Sequence, residues 1–435
     1  KIEKRLEEKK FFYLEKKISQ ENYNKIMLLG DKSIIKEEKI SRIYPQRELY
    51  SHIIGQIDDE NNGISGLELS FDYELRTSEK NLILSLDTDL QYLIREELKK
   101  AGQIFKTKGS AAILMNINNG EVLSIVSLPD YDLNKRELIS DVSYMNRATK
   151  GVYELGSVFK TFTYAAGLEQ GVIKPDTLFK NLEKKIKCAG RTISEYDEKI
   201  PPDLTAEEIL IRSGNIGSVR IGQKIGIENF KNFLEKIGIQ NKINFDISEI
   251  GQPLAFKWGK CKLATISFGH GITTTPLQLA KGYAIISNGG YDINPTIFKN
   301  NKTLKKKRIL KKGISEQVNL ALRKIVTNAE GTAEFANIPG YDVGGKTGTA
   351  QKTLSSGGYS NKKVNTFAAI FPISNPKYVL VTLLDETQIS SDYIYNYRNK
   401  KGSFKGTPFN TAGWTTVEIA GKIIENIGPI LATKY

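Results

Sequence analysis

The sequence predicts an α+β fold, in which an antiparallel sheet is built from both ends of one domain and a cluster of helices is inserted between them. Two hairpin signals support this prediction. Apolar runs flank Asn119-Gly120, and a second pair of apolar runs, 366–370 and 378–384, flanks the turn at 374–376. An Asn-Gly pair between apolar runs is a strong hairpin signal. Most of the chain between the two hairpins has helical apolar spacing.

The first elements follow one another in the order strand, helix, hairpin. A short strand at 84–88 gives way to a helix, in which Leu90, Ile94 and Leu98 recur at four-residue steps. That spacing places them on one face of the helix. The strands of the first hairpin then cover 111–115 and 122–126.

Two further helical regions carry polar residues at their ends. A segment that opens with Ser157 continues through Phe162 to Gly171, which predicts a helix with Gly at its C-terminal boundary. Thr205 and Glu208 form a capping box that starts a short helix. Because a second helical stretch begins after it, Ser213 is expected in a tight turn between two helices.

Length and composition indicate a globular protein. The 435 residues suffice for two or three domains, and 40% of them are hydrophobic. There is no run of 18 apolar residues that would predict a membrane span. The chain begins at Lys1 in a charged stretch, so we expect an ectodomain from which a signal anchor has been removed.

The net charge of +14 leaves several partners open. An excess of Lys together with many Asn and Ile residues is expected from an AT-rich genome, and attraction to an anionic surface or polymer is the alternative. The sequence contains no zinc-ligand spacing and no aromatic-rich basic motif, so we expect no nucleic-acid partner.

The two cysteines, Cys188 and Cys261, suffice for neither a metal site nor a disulfide framework. They could pair only if their Cα atoms lay within about 7 Å of each other. We expect two unrelated thiols and no metal site.

Three short motifs follow one another in a fixed order along the chain. They are Ser157-Val-Phe-Lys160, Ser213-Gly-Asn215 and Lys346-Thr-Gly-Thr349. Ser-x-x-Lys is weak by itself, because it also occurs at 33–36 and 360–363, whereas each of the other two motifs occurs once. The set in this order is the signature of penicillin-binding proteins and class A β-lactamases.

The motifs point to a serine acyl-transfer enzyme that works without a histidine. A serine hydroxyl is a poor nucleophile at neutral pH and needs a base within hydrogen-bonding distance. Lys160 lies three residues after Ser157, so both share one helix face. A lysine can act as the base if burial and a nearby cation lower its pKa, and Lys346 is the candidate cation.

Two competing chemistries are disfavoured. Residues 340–347 match the phosphate-binding pattern Gly-x-x-x-x-Gly-Lys-Thr, but such a loop follows a buried strand and opens a helix. The segment before it is polar and interrupted by Pro339, and the segment after it is not helical. For a histidine-dependent triad only His52 and His270 exist, and we expect a structural role for His270.

The surroundings of the motifs resemble class B penicillin-binding proteins, the monofunctional transpeptidases. The resemblance rests on Asn146-Arg-Ala148, Tyr153-Glu-Leu-Gly156 and Thr411-Ala-Gly-Trp414, and it runs from about residue 42 to about 429. Segments 42–45 and 63–68 are similar to the membrane-proximal pedestal of these enzymes. The resemblance implies the penicillin-binding transpeptidase fold, with a pedestal at 1–80 and a transpeptidase domain at 81–435.

The resemblance also implies roles for the motif residues. Ser213 would relay a proton between Lys160 and the leaving amine, and Asn215 would hold the lysine and the substrate backbone. The backbone N–H groups of Ser157 and Thr349 would form the oxyanion hole. As an extended sheet edge, the third motif would offer the Lys346 charge and the Thr347 and Thr349 hydroxyls to a substrate carboxylate. Gly348 would let the substrate backbone approach closely.

The implied activity is a septal peptidoglycan D,D-transpeptidase that crosslinks stem peptides ending in D-Ala-D-Ala, is acylated by β-lactams and needs no cofactor. The implied partners are a lipid-II glycosyltransferase and other division proteins, and the implied location is the periplasm, on a single-pass inner-membrane anchor. A serine β-lactamase or D,D-carboxypeptidase has the same motifs but no pedestal. A non-catalytic division scaffold would not need all of these residue types.

Overall fold

This computed structural model describes residues 5, 7, 11–15, 18–38, 42–135, 141–188, 190–299, 307–353 and 358–435. The largest sheet within these residues has five antiparallel strands and is called the central sheet. The strands are β1 Gly109–Asn116, β2 Val122–Leu128, β3 Leu178–Phe179, β4 Lys185–Cys188, β5 Arg191–Ser194, β6 Leu204–Thr205, β7 Gly344–Thr353, β8 Tyr359–Phe371, β9 Tyr378–Asp385, β10 Ile394–Asn396 and β11 Ser403–Lys405. In the central sheet the order is β2-β1-β9-β8-β7.

This order confirms the predicted α+β fold. β1 and β2 form the first hairpin and β8 and β9 the second, and β1 pairs with β9, so the two ends of the domain meet in the middle of the sheet. Nearly every residue of β1, β2 and β9 is buried. The sheet is therefore covered on both faces, as its continuous apolar runs require.

Helices supply that cover. The α-helices are α1 Gln20–Met27, α2 Ser51–Ile54, α3 Gly66–Ser70, α4 Asp72–Thr77, α5 Thr88–Phe105, α6 Asp141–Tyr144, α7 Lys160–Glu169, α8 Ala206–Ile211, α9 Asn215–Ile225, α10 Ile227–Lys236, α11 Lys260–Ile266, α12 Pro276–Ser287, α13 Ile314–Thr327 and α14 Thr416–Lys434. α5 and α14 pack against each other and against the sheet, and α12 packs against β1, β8 and β9. Among the described residues, no helix combines the length and the apolar character needed to cross a bilayer.

Helix α5 begins where the sequence predicts. Asp87 caps it by accepting hydrogen bonds from the backbone N–H groups of Asp89 and Leu90, and the apolar face with Leu90, Ile94 and Leu98 is fully buried. Within the ranges given above, the segment before α5 makes a single bridge, Leu84 to Phe298, so it is shorter than the predicted strand.

The chain divides into two compact units, residues 1–43 and 44–435. In the smaller unit, Ser19 caps helix α1, and the Tyr13 hydroxyl donates to Glu37 at 2.7 Å. In the larger unit, residues 44–77 pack with the rest of the domain; for example, the Gly66 N–H donates to Glu249 at 2.7 Å. A separate role for residues 1–80 stays a prediction.

Cys188 and Cys261 form a disulfide, and the expectation of two unrelated thiols was wrong. Their Cα atoms lie 5.5 Å apart, although 73 residues separate them in the chain. Cys188 ends strand β4, and Cys261 lies in the first turn of helix α11. Only the tertiary packing of the hairpin beside this helix brings the two sulfurs together, so sequence spacing carried no signal for it.

Candidate active site

Ser157 lies in a short 3₁₀ turn, Gly156–Phe159, that continues directly into helix α7. Val158 and Phe159 are fully buried, whereas the Ser157 side chain is half-buried and accessible. Gly156 has a φ of +64°, and a Cβ there would lie 2.7 Å from the carbonyl oxygen of Thr349. A glycine is therefore required to turn the chain so close to strand β7. The predicted helix from Ser157 is confirmed.

Lys160 is the first residue of α7 and is almost completely buried. Its Nζ donates to the Asn215 Oδ1 at 2.7 Å, to the Ser213 Oγ at 3.2 Å and to the Ser213 carbonyl oxygen. Burial lowers the pKa of Lys160 to about 7. A neutral amine keeps two N–H donors for the carbonyl and the amide, which leaves its lone pair free to accept a proton.

Ser213 occupies the predicted turn between α8 and α9, in a left-handed backbone conformation with a φ of +58°. The capping box of Thr205 and Glu208 is present at the start of α8. At its end, the Gly214 N–H donates to the Ile209 carbonyl at 2.9 Å, which closes the turn. The strained conformation directs the Ser213 side chain and carbonyl oxygen toward one point, the Lys160 amine.

Lys346 reaches the same point from the sheet. It lies in β7, is fully buried, and its Nζ donates to the Ser213 Oγ at 2.8 Å and to the Thr347 carbonyl at 3.1 Å. Burial lowers the pKa of Lys346 well below its usual value, and the charge of Lys160 lowers it further. The predicted cation is therefore an amine whose charged form is disfavoured by its surroundings.

Residues 346–349 lie in an edge strand, as predicted, because among the described residues β7 pairs with β8 alone. An open edge can add a substrate segment as a further strand. The Thr347 and Thr332 hydroxyl oxygens are 2.7 Å apart, and the Thr349 hydroxyl accepts from the Ala412 N–H at 2.9 Å. A Cβ on Gly348 would lie 2.2 Å from the Leu155 carbonyl oxygen, so this glycine lets the nucleophile turn approach β7.

Comparison with known proteins places this arrangement in a family. Residues 110–405 match the family model described as penicillin binding protein transpeptidase domain. A protein of Caulobacter vibrioides named probable peptidoglycan D,D-transpeptidase FtsI is 32% identical over 94% of this chain and 69% of its own length. The chain belongs to the penicillin-binding protein transpeptidase family.

Other relatives agree. The probable peptidoglycan D,D-transpeptidase PenA of Neisseria meningitidis is 27% identical over 95% of this chain and 74% of its own length. Among solved structures, penicillin-binding protein 3 of Mycobacterium tuberculosis in complex with aztreonam superimposes with a TM-score of 0.77 at 25% identity. The match covers 89% of this chain and 90% of that one. These matches confirm the family and the fold that the sequence predicts.

In this penicillin-binding protein the three motifs meet at one place. Direct hydrogen bonds join Lys160, Ser213, Asn215 and Lys346. Ser157 lies one helical turn before Lys160, but within the part of the chain that the structure describes its hydroxyl makes no hydrogen bond, so the predicted nucleophile is not hydrogen-bonded to the predicted base. The turn at Gly156 lies against the backbone of Thr349, as the predicted oxyanion hole requires. The individual roles stay predictions.

Sequence reasoning missed Glu195, which follows strand β5. Its carboxylate accepts hydrogen bonds from the backbone N–H of Asn215 at 2.6 Å and of Ile216 at 2.8 Å. Its negative charge raises the pKa of Lys160, against the larger effect of burial. No motif surrounds Glu195, so the sequence held no signal for it.

Neither histidine forms a triad in this penicillin-binding protein. His52 is partly buried, its Nε2 lies 2.7 Å from the Ser143 carbonyl oxygen, and desolvation lowers its pKa to about 4. The ring of His270 contacts the rings of Phe268 and Tyr359. In the ranges that the structure describes, no three His, Cys, Asp or Glu side chains form a group that could hold a metal ion.

Proposed function

We propose that this chain is the septal peptidoglycan D,D-transpeptidase of its cell and that Ser157 is the residue acylated by the donor stem peptide. The observation that carries the proposal is the convergence of Lys160 and Lys346 on the Ser213 hydroxyl, beside the accessible Ser157. It is supported by the relatives named peptidoglycan D,D-transpeptidase.

Acylation begins with the neutral Lys160 amine. It takes the proton of Ser157 as the Oγ attacks the carbonyl carbon of the penultimate D-Ala. The N–H groups of Ser157 and Thr349 stabilise the oxyanion that forms. The proton then passes from Lys160 through Ser213 to the amine of the terminal D-Ala, which leaves as the acyl-enzyme forms.

Transfer reverses these steps. The amine of a neighbouring stem peptide attacks the ester carbon, gives its proton to Lys160, and the bond between that carbon and the Ser157 Oγ breaks. The departing serine oxygen takes a proton back from Lys160. In the preceding acylation step, before the terminal D-Ala leaves, its carboxylate binds beside Lys346 and Thr349, and the negative charge keeps the proton on Lys346.

The β-lactamase alternative requires a carboxylate that activates a deacylating water. Glu195 is the carboxylate bound next to the Lys160 group, but both of its oxygens accept backbone N–H groups. Glu154 lies 3.3 Å from the Tyr359 hydroxyl, and Glu334 forms an ion pair with Lys400. These contacts favour a persistent acyl-enzyme and therefore a transpeptidase.

A fluorescent penicillin tests the assignment most directly. We expect one equivalent of penicillin to add covalently, and we expect release of D-Ala from a D-Ala-D-Ala stem peptide together with formation of a crosslinked product when an acceptor amine is present. Release of D-Ala without any crosslinked product would identify a carboxypeptidase. The absence of both labelling and D-Ala release would leave the scaffold alternative.

The proposed setting is the periplasmic face of the inner membrane, on an N-terminal anchor, with residues 1–80 as the docking platform for a lipid-II glycosyltransferase and other division proteins. Exposed apolar side chains in the smaller unit support a docking role, since Leu28, Leu29 and Ile35 are each more than 70% exposed. A chain truncated to begin at Tyr44 should keep penicillin binding and lose the glycosyltransferase. Undiminished binding of the glycosyltransferase would place the docking surface elsewhere.

A further inference from the structure

The hairpin of β4 and β5 lies beside the turn that carries Ser213. Strand β5 packs against helix α9. Ser194, the last residue of β5, and Glu195, which follows it, form hydrogen bonds to the first residues of that helix. The Glu195 carboxylate accepts the Asn215 and Ile216 N–H groups, and the Ser194 carbonyl accepts from the Asn215 Nδ2 at 2.8 Å. Three hydrogen bonds therefore connect the hairpin to the start of α9.

These bonds orient a group that contacts the reacting amine. The Asn215 Nδ2 and backbone N–H are both held by the hairpin, so the remaining polar atom of the side chain, Oδ1, is directed at the Lys160 Nζ, 2.7 Å away. Glu195 touches neither Ser157 nor Lys160 by a hydrogen bond. Its effect on Lys160 therefore passes through Asn215 and through its own charge.

The hairpin needs support to hold this position. It is a separate two-stranded sheet of four residue pairs, and a hairpin of that size is only marginally stable by itself. The disulfide supplies a covalent tie, because Cys188 ends β4 and Cys261 lies in α11. Helix α11 packs against α9. The disulfide, the hairpin and the two helices thus form a closed circuit of contacts, which includes the helix that begins just after the Ser213 turn.

We propose that Glu195 is a positioning residue for the Lys160–Ser213–Asn215 group, and that the Cys188–Cys261 disulfide, by tying down the hairpin that carries Glu195, makes acylation sensitive to the thiol–disulfide state of the surroundings. The proposal rests on the proposed function. Both cysteines are only partly buried, so a small dithiol can reach them.

The chemical step is ordinary thiol–disulfide exchange. A dithiol reductant attacks one sulfur, the Cys188–Cys261 bond breaks, and the second thiol of the reductant closes its own disulfide. The two cysteines gain two electrons and two protons, and the reductant loses them. The released hairpin then holds Glu195 and Asn215 less closely, and the Lys160 amine loses its fixed geometry.

The test compares the oxidised protein with the dithiothreitol-reduced protein. For each, a fluorescent penicillin is used to measure the affinity of the non-covalent complex and the rate constant of the acylation that follows. We expect reduction to slow acylation about tenfold while the affinity changes little, because a small misplacement of reacting groups acts on the chemical step. Glu195→Gln should slow it to a similar extent. Reducing the disulfide in the Glu195→Gln variant should slow its acylation by less than about a further twofold, because both changes act on one contact.

The pH profile supplies a readout that a merely structural role would not move. Three titratable groups interact electrostatically with Lys160: Glu195 after β5, Lys346 in β7 and His270 after α11. Among these groups Glu195 carries the negative charge, which favours the protonated form of the Lys160 amine. Glu195→Gln removes that charge. The pH at which acylation reaches half its maximal rate should therefore move downward in this variant.

Two matched controls accompany the test. The double variant Cys188→Ser with Cys261→Ser should be slow to the same extent as the reduced protein, and dithiothreitol should not change it further. Glu198→Gln removes an exposed carboxylate from the same region and should acylate at the wild-type rate. Circular dichroism melting shows whether each variant is folded.

The outcomes separate the possibilities. If reduction slows the wild type and Glu195→Gln by the same factor, the disulfide does not act through Glu195. If reduction lowers only the melting temperature, or if Glu195→Gln acylates normally with an unmoved pH profile, the hairpin is merely structural and the proposal is wrong. If the oxidised wild type is not acylated at all, the proposed function itself fails.

Discussion

Lys160 and Lys346 donate to the same oxygen, the Ser213 Oγ, from distances of 3.2 and 2.8 Å. Both amines are buried, and burial lowers the pKa of each. Two adjacent buried ammonium groups repel each other, so the pair readily releases a proton. We infer that a substrate carboxylate next to Lys346 decides which amine keeps the remaining proton and leaves Lys160 as the base.

The first prediction concerns the nucleophile. Ser157→Ala should abolish covalent labelling by penicillin, and peptide mapping of the wild type should place the adduct within residues 156–160. Ser360 provides a matched control, because it opens another Ser-x-x-Lys sequence but its hydroxyl donates to the Lys352 carbonyl in the β7–β8 hairpin. Ser360→Ala should label normally. An adduct on any other serine contradicts the assignment of Ser157.

The second prediction concerns the base. Lys160→Ala should slow acylation by about a hundred- to ten-thousandfold, because the nucleophile loses its proton acceptor. In the wild type, Lys160 must be neutral to act, and its pKa of about 7 lies below the usual value because of burial. Acylation should therefore increase as the pH rises through about 7 and reach a plateau above it.

The measurement for this prediction is the acylation rate constant between pH 5.5 and 9, with the fold checked by circular dichroism at each pH. A flat profile, or a Lys160→Ala variant that acylates at the wild-type rate, would show that another group accepts the proton.

The third prediction concerns the turn before the nucleophile. Gly156→Ala should block acylation and lower the melting temperature, because its Cβ would collide with the Thr349 backbone in a left-handed conformation. Gly171→Ala is the control, since Gly171 also has a positive φ but open space where a Cβ would be. It should cost about 1–2 kcal/mol of stability and leave acylation unchanged. Normal acylation of Gly156→Ala would disprove the close approach to β7.

The fourth prediction concerns the lifetime of the acyl-enzyme. The penicillin adduct should survive denaturing gel electrophoresis and decay slowly in native buffer, because Glu195 is bound to two backbone N–H groups and cannot activate a water. Mass spectrometry over several hours measures the decay. Rapid turnover of many equivalents of penicillin would move this protein to the hydrolases.

Much of the fold was readable from local patterns. The two hairpins and the helix after residue 87 follow from short-range apolar spacing or turn chemistry, which acts between residues close in sequence. The edge strand at 346–349 was predicted from its motif. The positions of the two hairpins also predicted one sheet built from both ends of the domain. The pairing of β1 with β9, which joins residues more than 260 positions apart, came only from the structure.

By itself the sequence determined the family of this protein, because the residue types and the order of the three motifs are its signature, and they predict a nucleophile, a base and a second amine. Tertiary structure alone decided how these groups interact. It buried Lys160 and Lys346 beside each other, which lowers their pKa values, and it brought Glu195 and the disulfide of Cys188 and Cys261 to the Ser213 turn. Burial and proximity are properties of packing between distant segments, so no local pattern in the chain encodes them.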